Sequence, residues 1–405
     1  MFAAYLISLL VSAWSLELEA YSYSKNGKVH LEYYVQVHIG SPPQPVKLTI
    51  STNLNYTWVA GVLCNCSSLP FSSDKSSSFV NFEETSLVPF RQGNLTGTIS
   101  SDFFYLGDLK LKVNFTLGTS KSLYKWEDVS GQGVLGLGIG SSLISAMPYR
   151  LRNYSLEFSE KGYLRFGEPL KDYDFYEAQG PEFKLDSENY AIGNHYQKSS
   201  PQGLVLDSGS DLTYLPSEKF SQFRNSFLFG NCFYWKNMMK DIPEEYVCYC
   251  EGGSPPGLPT FNFIVKNTKY SLEPSDYLKE PYIEKETKRA VCRLGIAESR
   301  TKYFTLGIAF FEKYQAFFDP KNKLVGLKGG KRMNLANVFD PTLAVTGIIL
   351  FVLLLITIVY FTYKKALKDQ NKQLKKSFKL EIAQKTSSDP FYLAAKFTES
   401  KRKAT

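Results

Sequence analysis

The chain has 405 residues and a formal net charge of +8, from 47 Lys or Arg against 39 Asp or Glu. The excess is confined to one end, because residues 364–405 hold 12 basic and 4 acidic residues while the rest of the chain is balanced. The charge therefore gives no support for nucleic-acid binding. It predicts instead a cytoplasmic tail beside a membrane, with attraction to anionic lipid headgroups.

The N-terminus predicts a secretory signal peptide. Residues 1–15 are mostly apolar and end in the small residues Ala13 and Ser15, which suit signal cleavage. An uncleaved anchor is the alternative. Residues 16–32 are then a short pro or linker segment before the main fold.

The following 300 or so residues predict a mostly β fold. Short apolar runs rich in Val, Ile, Phe and Tyr are separated by Gly, Pro, Asn and Ser clusters, and helical periodicity is scarce. A segment of this length exceeds a typical single core. We therefore expect two lobes, residues 33–180 and 181–330, with a cleft between them.

Two segments look like copies of one loop. LTISTNLNYTWVA spans residues 48–60 and LVLDSGSDLTYLP spans residues 204–216. In each, an apolar strand runs into a polar turn, and Gly209 supplies the permissive backbone that a tight turn beside a ligand requires. The second copy has Asp207 where the first has Ser51.

The cysteines and glycosylation sequons indicate a secretory compartment. All six cysteines precede the apolar segment near the C-terminus, and an even number in this context predicts disulfides. Direct pairing of Cys64 with Cys66 would be strained, since one residue separates them. The three histidines form no ligand spacing with the cysteines, so we predict no metal site and no cofactor. Five sequons are glycosylation candidates: Asn55, Asn65, Asn94, Asn114 and Asn153.

The C-terminal part predicts a membrane anchor. After a stalk at residues 331–341, residues 342–363 contain 22 residues without a charge, enough for a membrane-spanning helix. A buried core helix is the alternative. With the basic tail at 364–405, this layout predicts a single-pass type I protein of the secretory or endolysosomal pathway or the cell surface, with a luminal or extracellular ectodomain.

The tail contains one candidate sorting signal, SSDPFYL at residues 387–393. It resembles turn-forming motifs read by endocytic adaptors, in which the proline sets the turn and the tyrosine is presented beyond it. The residues concerned are Asp389, Pro390, Phe391 and Tyr392. The alternative is a solvated tail that no adaptor binds specifically.

The two loops resemble those of the pepsin-like aspartic peptidases, whose lobes each contribute one Asp-Thr/Ser-Gly loop. Further segments are similar to this family in the same order along residues 33–330: YYVQVHIGSPPQPVKLTIST (33–52) before the first loop, VPFRQGNLTGTISSDFFYLGDL (88–109) as the flap hairpin, GQGVLGLGIG (131–140), YSLEFSEKGYLRFGEP (154–169), LPTFNFIVKNTKYSLEPSDYL (258–278) and YFTLGIAFFEKYQAFFDPKNKLVGL (303–327). The resemblance implies a bilobal pepsin-like fold with an inter-lobe cleft. It also implies a disulfide between Cys250 and Cys292, which leaves Cys232 to pair with Cys248.

The resemblance implies a damaged catalytic pair. In the family, two carboxyl groups share one proton, so that one activates a water while the other polarises the scissile carbonyl. Here Asp207 is the retained member and Ser51 takes the other place, where a hydroxyl cannot act as the acid. Asn53 and Leu54 also replace the family's glycine and hydroxyl. The implied substrate-binding residues are Thr52, Ser208, Gly209 and Phe90, the last standing where most members have a tyrosine.

Three functions are consistent with this sequence. The favoured one is a membrane-anchored pseudopeptidase that binds peptide or protein in its cleft. The alternative is an active endopeptidase at acidic pH that combines Asp207 with a compensating acid, for which the available residues are Asp74, Asp102, Asp108 and Asp128. A structural surface glycoprotein is the third. Ser51 as a serine nucleophile is disfavoured, because no histidine base lies in a recognisable motif nearby.

Overall fold

The structure is a computed structural model that describes residues 16–25, 28–64, 69–90, 93–122, 131–158, 162–168, 172–180, 182–187, 189–193, 195–197, 202–228, 232–235, 245–250, 257–279, 282–283, 288–299, 301–333 and 341–388. The predicted signal peptide, Asn65, Cys66, Asp128 and the tail residues 389–392 lie outside this part. Residues up to Met333 form one compact unit, and the residues from Asn334 onwards form a second.

The described part of the first unit is mostly β. Its first half contains strands β1 (Leu16–Lys25), β2 (Lys28–Ile39), β3 (Gln44–Ser51), β4 (Trp58–Ala60), β5 (Val80–Phe90), β6 (Gly93–Leu106), β7 (Leu109–Ser122), β8 (Gly133–Gly136), β9 (Tyr154–Glu157), β10 (Gly162–Phe166) and β11 (Asp174–Glu177). The helical elements here are α1 (Ser142–Ala146) and 3-10 turns at Val62–Cys64, Ser73–Lys75 and Tyr149–Leu151.

The second half continues in the same way. Its strands are β12 (Lys184–Ser187), β13 (Asn189–Ile192), β14 (His195–Gln197), β15 (Gln202–Leu206), β16 (Thr213–Pro216), β17 (Cys232–Trp235), β18 (Glu245–Tyr249), β19 (Phe261–Val265), β20 (Thr268–Leu272), β21 (Tyr282–Ile283), β22 (Ala290–Arg293), β23 (Ile296–Ser299), β24 (Phe304–Leu306), β25 (Gln315–Asp319), β26 (Leu324–Lys328) and β27 (Lys331–Arg332). The helices are α2 (Ser217–Phe223), α3 (Pro274–Tyr277) and α4 (Ile308–Lys313), with a π-helical turn at Arg224–Leu228.

One large sheet draws strands from both halves of the chain. Its order is β11-β26-β25-β9-β10-β1-β2-β3-β8-β4-β7-β6-β5. Strand β1 pairs with β10 and with β2, so residues 16–25, predicted as a pro or linker segment, form part of this sheet. The other sheets belong to the second half, in the orders β12-β15-β24-β16-β23, β14-β13-β19-β20-β27 and β17-β18-β22-β21.

The two loop copies sit in matching strand frames. Strand β3 runs parallel to β8, and β4 pairs antiparallel with the same strand. In the second half, β15 runs parallel to β24, and β16 pairs antiparallel with β24. Each loop therefore emerges at the end of a buried strand and returns along the same neighbour, which is the duplicated, bilobal arrangement predicted from the sequence.

The core follows from the alternation of apolar residues along these strands. Val46, Leu48 and Ile50 of β3 are buried in one continuous apolar cluster, which also contains Leu204 and Leu206 of β15. These residues fix the strand ends from which the two loops project.

Disulfides join Cys232 to Cys248 and Cys250 to Cys292. The first bond links β17 to the adjacent β18, and the second links the residue after β18 to β22. Cys64 is also disulfide-bonded.

The second unit contains helix α5, Pro341–Ser388. This helix includes the predicted span at residues 342–363. In the described part of the chain, no helix is both long enough and apolar enough to cross a membrane. Anchoring by residues 342–363 stays a prediction.

Candidate active site

The fold brings Ser51 and Asp207 into direct contact. Ser51 is the last residue of β3, and Asp207 follows the last residue of β15. The Ser51 hydroxyl donates to Asp207 Oδ1 at 3.2 Å, and the Gly209 backbone N–H donates to the same oxygen at 2.9 Å. Ser51 is fully buried, while Asp207 retains 6% exposure. The altered position, Ser51, and the retained one, Asp207, thus form one site, although 156 residues separate them in sequence.

Thr52 and Ser208 hold the two loops together crosswise. Thr52 Oγ1 donates to the Leu206 carbonyl at 2.7 Å, and Ser208 Oγ donates to the Ile50 carbonyl at 2.9 Å. Each hydroxyl also accepts from the other residue's backbone N–H, at 3.1 Å and 3.2 Å. All four bonds are buried, so they satisfy backbone groups that water cannot reach.

Gly209 allows the close approach of the two loops. A Cβ at this position would lie 2.8 Å from Ser51 Cβ and 2.9 Å from Ser51 Oγ, closer than real side-chain contacts. At the corresponding place, the first loop has Asn53, whose buried Oδ1 has no hydrogen-bond partner in the described part of the chain. A buried, unpaired amide oxygen is costly, so Asn53 makes the first loop less well satisfied than the second.

Leu54 and Phe90 form an apolar cluster beside the first loop. Leu54, Trp58, Val88, Phe90 and Leu95 are buried together, and Phe90 has only 2% exposure. The Trp58 indole N–H donates to the carbonyl of Thr96 at 3.3 Å. The β5–β6 hairpin therefore packs on the first loop. Phe90, predicted to contact substrate, is buried in this packing.

The comparisons with known proteins agree with this arrangement. A family model described as eukaryotic aspartyl protease matches residues 32–156 and 173–329. The chain belongs to this family. It is similar to vacuolar protease A of Aspergillus fumigatus, with 22% identity over 75% of this chain and 80% of that protein. It is also similar to plasmepsin IV of Plasmodium falciparum, with 28% identity over 78% of this chain and 74% of that protein. A beta-secretase of Strongylocentrotus purpuratus is 23% identical over 74% of this chain and 66% of that protein.

An aspartyl protease needs a second carboxyl group, and the three sequence candidates that the structure describes, Asp74, Asp102 and Asp108, do not supply one at Asp207. Asp102 is buried and accepts hydrogen bonds from Ser78 Oγ at 2.5 Å and from the Phe103 N–H at 2.7 Å. Asp74 lies in the 3-10 turn Ser73–Lys75, and Asp108 is exposed in the turn between β6 and β7. No contact in the described part links any of the three to Ser51 or Asp207.

Glu32 is a carboxyl group that the sequence interpretation passed over. It is 1% exposed and accepts a hydrogen bond from Thr49 Oγ1 at 3.3 Å. Tyr34 pairs with Thr49 across β2 and β3. Because side chains alternate along strands, Glu32, Thr49 and Ser51 project from the same face of this strand pair. Only the strand register shows this placement, since Glu32 lies outside both loops.

Further charged groups form pairs in the second half of the chain. Asp211 is 5% exposed and forms an ion pair with Arg293 at 3.3 Å. Burial lowers the pKa of Lys279, an effect that Glu312, 3.7 Å away, opposes. Tyr33 donates to Glu312 at 3.3 Å, and burial raises the pKa of Tyr33. The Asp211–Arg293 and Lys279–Glu312 pairs provide charge compensation inside the second half of the protein, and the Tyr33 hydrogen bond links Glu312 to the first half.

The glycosylation candidates that the structure describes are not grouped in one place on the burial scale. Asn94 and Asn114 are exposed, whereas Asn55 and Asn153 are partly buried. Within the described ranges, no group of three or more His, Cys, Asp or Glu side chains could hold a metal ion.

Proposed function

We propose that this member of the aspartyl protease family is a catalytically impaired peptidase that binds an extended peptide or protein segment in its inter-lobe cleft. One observation carries the proposal: Ser51 occupies the place of the second carboxyl group and its hydroxyl lies 3.2 Å from Asp207 Oδ1, within a loop pair that Thr52 and Ser208 hold together through four hydrogen bonds. The floor of the cleft is therefore built, but half of its acid–base chemistry is missing.

The mechanism of impairment follows from what a hydroxyl can do. Asp207 can accept a proton from an attacking water, as a general base requires. The departing amine must then receive a proton, and the scissile carbonyl must be polarised by a protonated partner. Ser51 can donate a hydrogen bond, but it is far too weak an acid to transfer a proton at ordinary pH. Peptide binding needs neither step, so the loss of the dyad leaves it possible.

Cleavage assays with a peptide library test the impairment. The ectodomain, residues 16–340, is compared with its Ser51→Asp and Asp207→Ala variants from acidic to neutral pH. We expect no cleavage by the natural sequence or by Asp207→Ala, and cleavage by Ser51→Asp. Cleavage by the natural sequence that Asp207→Ala abolishes would overturn the proposal.

Peptide binding is tested separately, because it does not depend on turnover. Peptides retained by the natural ectodomain should lose affinity in Asp207→Arg, which places a long side chain on the cleft floor. The matched control is Asp108→Arg, which makes the same charge change in an exposed turn. Equal affinity of both variants for every retained peptide would place binding outside the cleft.

Residual peptidase activity is the second candidate, and Glu32 is the observation that favours it. Its carboxyl group lies on the same strand face as Ser51 and is shielded from solvent. If Glu32 were the compensating acid, Glu32→Gln would abolish any cleavage by the natural ectodomain. The control is Glu84→Gln, at an exposed position of β5. Loss in both variants, or in neither, would count against Glu32.

We also propose that the protein is a type I membrane glycoprotein with its cleft on the luminal or extracellular side. The support is the run of 22 uncharged residues at 342–363, the basic tail that follows and the five sequons before it. Carbonate extraction of membranes containing the full chain should leave it in the pellet, and added protease should remove only the tail. Release by carbonate would contradict the anchor.

For the sorting signal, Tyr392→Ala should retain the protein at the surface, and unchanged uptake would count against it.

A further inference from the structure

A polar cavity lies in the second half of the chain, apart from the candidate active site. Its volume is about 760 Å³, within the range of small-molecule sites. Strands β19, β20 and β27 and the residues around the end of α4 line it, and none of its lining residues belongs to loop 51–54 or loop 207–210. Phe227, Leu258 and Pro259 form an apolar part of the wall.

The polar lining belongs to one face of the sheet. Phe261 and Phe263 of β19 and Tyr270 and Leu272 of β20 are buried in the core. The alternate residues Asn262, Lys269 and Ser271 line the cavity instead. In register, Asn262 faces Ser271 across the two strands. The sheet thus separates an apolar core from a polar recess.

Two lysines face each other in this recess, which Glu273 also lines. Lys269 of β20 pairs directly with Lys331 of β27, and both line the cavity. Neither takes part in an ion pair within the described part of the chain. Like charges directly opposite one another across antiparallel strands are destabilising. Lys313, which also lines the cavity, is compensated, because its ammonium lies 2.6 Å from Asp276 Oδ2.

Protection of the sheet edge explains only one of these lysines. Strand β27 is the last strand of its sheet, and a lysine on an edge strand discourages pairing with another chain. Strand β20 is paired on both sides, with β19 and β27, so Lys269 has no edge to protect. Edge protection therefore does not explain why Lys269 stands directly opposite Lys331.

A third donor is held in place beside them. Ser271 Oγ donates to Asn262 Oδ1 at 2.6 Å, which turns the amide nitrogen of Asn262 away from the serine. That nitrogen has no hydrogen-bond partner among the described residues. The Tyr314 hydroxyl fixes the same strand, since it accepts from the Ser271 N–H at 2.7 Å and donates to the Ser271 carbonyl at 3.0 Å.

We propose that this cavity binds a small organic anion through a phosphate or sulfate group, with the ammonium groups of Lys269 and Lys331 and the amide nitrogen of Asn262 as the donors. Each lysine ammonium is a positive point charge that can donate hydrogen bonds to phosphate or sulfate oxygens. An anion between them converts their repulsion into two favourable contacts. The apolar wall at Phe227 and Leu258 suits the organic part of the ligand.

Calorimetric titration of the purified full chain tests the proposal, with glucose 6-phosphate, glucose 6-sulfate and uncharged glucose as probes. We expect saturable binding of at least one ester and none of glucose. The double variant Lys269→Gln/Lys331→Gln should weaken that binding by about tenfold or more. The matched control, Lys75→Gln/Lys302→Gln, removes the same charge at two exposed positions outside the cavity and should bind as the natural chain does.

A second measurement keeps the proposal testable without a ligand. In the absence of the esters, Lys269→Gln/Lys331→Gln should be at least as stable to urea as the natural chain, because a like-charge pair has been removed. Loss of stability would mean that the lysines are structural and would overturn the proposal. The absence of saturable ester binding, or equal weakening by the control variant, would also overturn it.

Discussion

Loops 51–54 and 207–210 share a backbone frame and differ in chemistry. The Leu137 N–H donates to the Ser51 carbonyl at 2.9 Å, and the Gly138 N–H to the Leu54 carbonyl at 2.6 Å. Around the other loop, the Ile308 N–H donates to the Ser210 carbonyl at 2.8 Å.

The residues that join the loops, Thr52 and Ser208, are equivalent in their bonds, whereas Ser51, Asn53 and Leu54 have changed. The comparison teaches that the framework of an aspartyl protease site and its acid–base chemistry are carried by different residues of the same loops.

The largest expected effect comes from restoring the missing acid. Ser51→Asp should cleave at least about 10²–10⁴-fold faster than Ser51→Asn at acidic pH, the usual contribution of one general acid or base. Ser51→Asn is the matched control, since it has nearly the same size as aspartate but no proton to transfer. Steady-state cleavage of one library peptide measures the difference. Equal rates for the two variants would mean that the loops differ in more than this acid.

The next effect concerns packing at one pair of corresponding positions, where the first loop has Leu54 and the second has Ser210. Leu54→Ser should lower the free energy of unfolding by about 2–5 kcal/mol, because Leu54 packs with Trp58 and Phe90. Ser210→Ala should cost only about 0.5–1.5 kcal/mol, for its hydrogen bond to the Leu212 carbonyl. Urea denaturation measures both. Leu63→Ser, at a position with 84% exposure, is the control and should cost little. Equal costs for Leu54→Ser and Leu63→Ser would contradict the packing described here.

Thr52 and Ser208 should respond alike, since their bonds are symmetric. Thr52→Val and Ser208→Ala should each cost about 1–3 kcal/mol, because each leaves a buried carbonyl and a buried N–H without a partner. The double variant should cost less than the sum, with a coupling of about 0.5–3 kcal/mol. Ser77→Ala, which removes an exposed hydroxyl, serves as the control. Strict additivity would show that the two residues do not act as a unit.

The smallest effect is a pH dependence that compares buried tyrosines of the two halves. Burial raises the pKa of Tyr33 in the first half and of Tyr277 in the second. A raised pKa in the folded state means that the unfolded chain loses its phenolic protons first, so stability falls as pH rises above about 10. Tyr33→Phe and Tyr277→Phe should each flatten this fall between about pH 10 and pH 12 in urea titrations. Tyr149→Phe, at a position with 66% exposure, serves as the control variant.

The sequence predicted the features that depend on local patterns. The apolar residues of β3 and the apolar run of β15 placed Ser51 and Asp207 at strand ends, and the resemblance to the aspartic peptidases implied that the two would meet. The burial of Phe90 was not foreseen, because the volume that Leu54 fills beside Trp58 becomes visible only in three dimensions. Glu32 was missed for a related reason, since its position beside Thr49 is set by the pairing of β2 with β3 and by no motif.

Residues 16–25 show the same limit. Their length and position predicted a pro or linker segment, whereas the structure pairs them with β10, far along the chain. A strand can be recognised locally, but its partner depends on which edge of a sheet is open, and that is a property of the whole fold.

The crosswise bonds of Thr52 and Ser208 also bear on the order of folding. They join positions separated by 154 to 158 residues, so each loop is completed only by the other half of the chain. Contacts of such long separation form after more local ones, because the intervening chain must first be ordered. A nascent first half would leave the carbonyl of Ile50 without its partner until Ser208 has been synthesised and folded. We therefore expect the junction of the two loops to be among the last parts of the protein to become native.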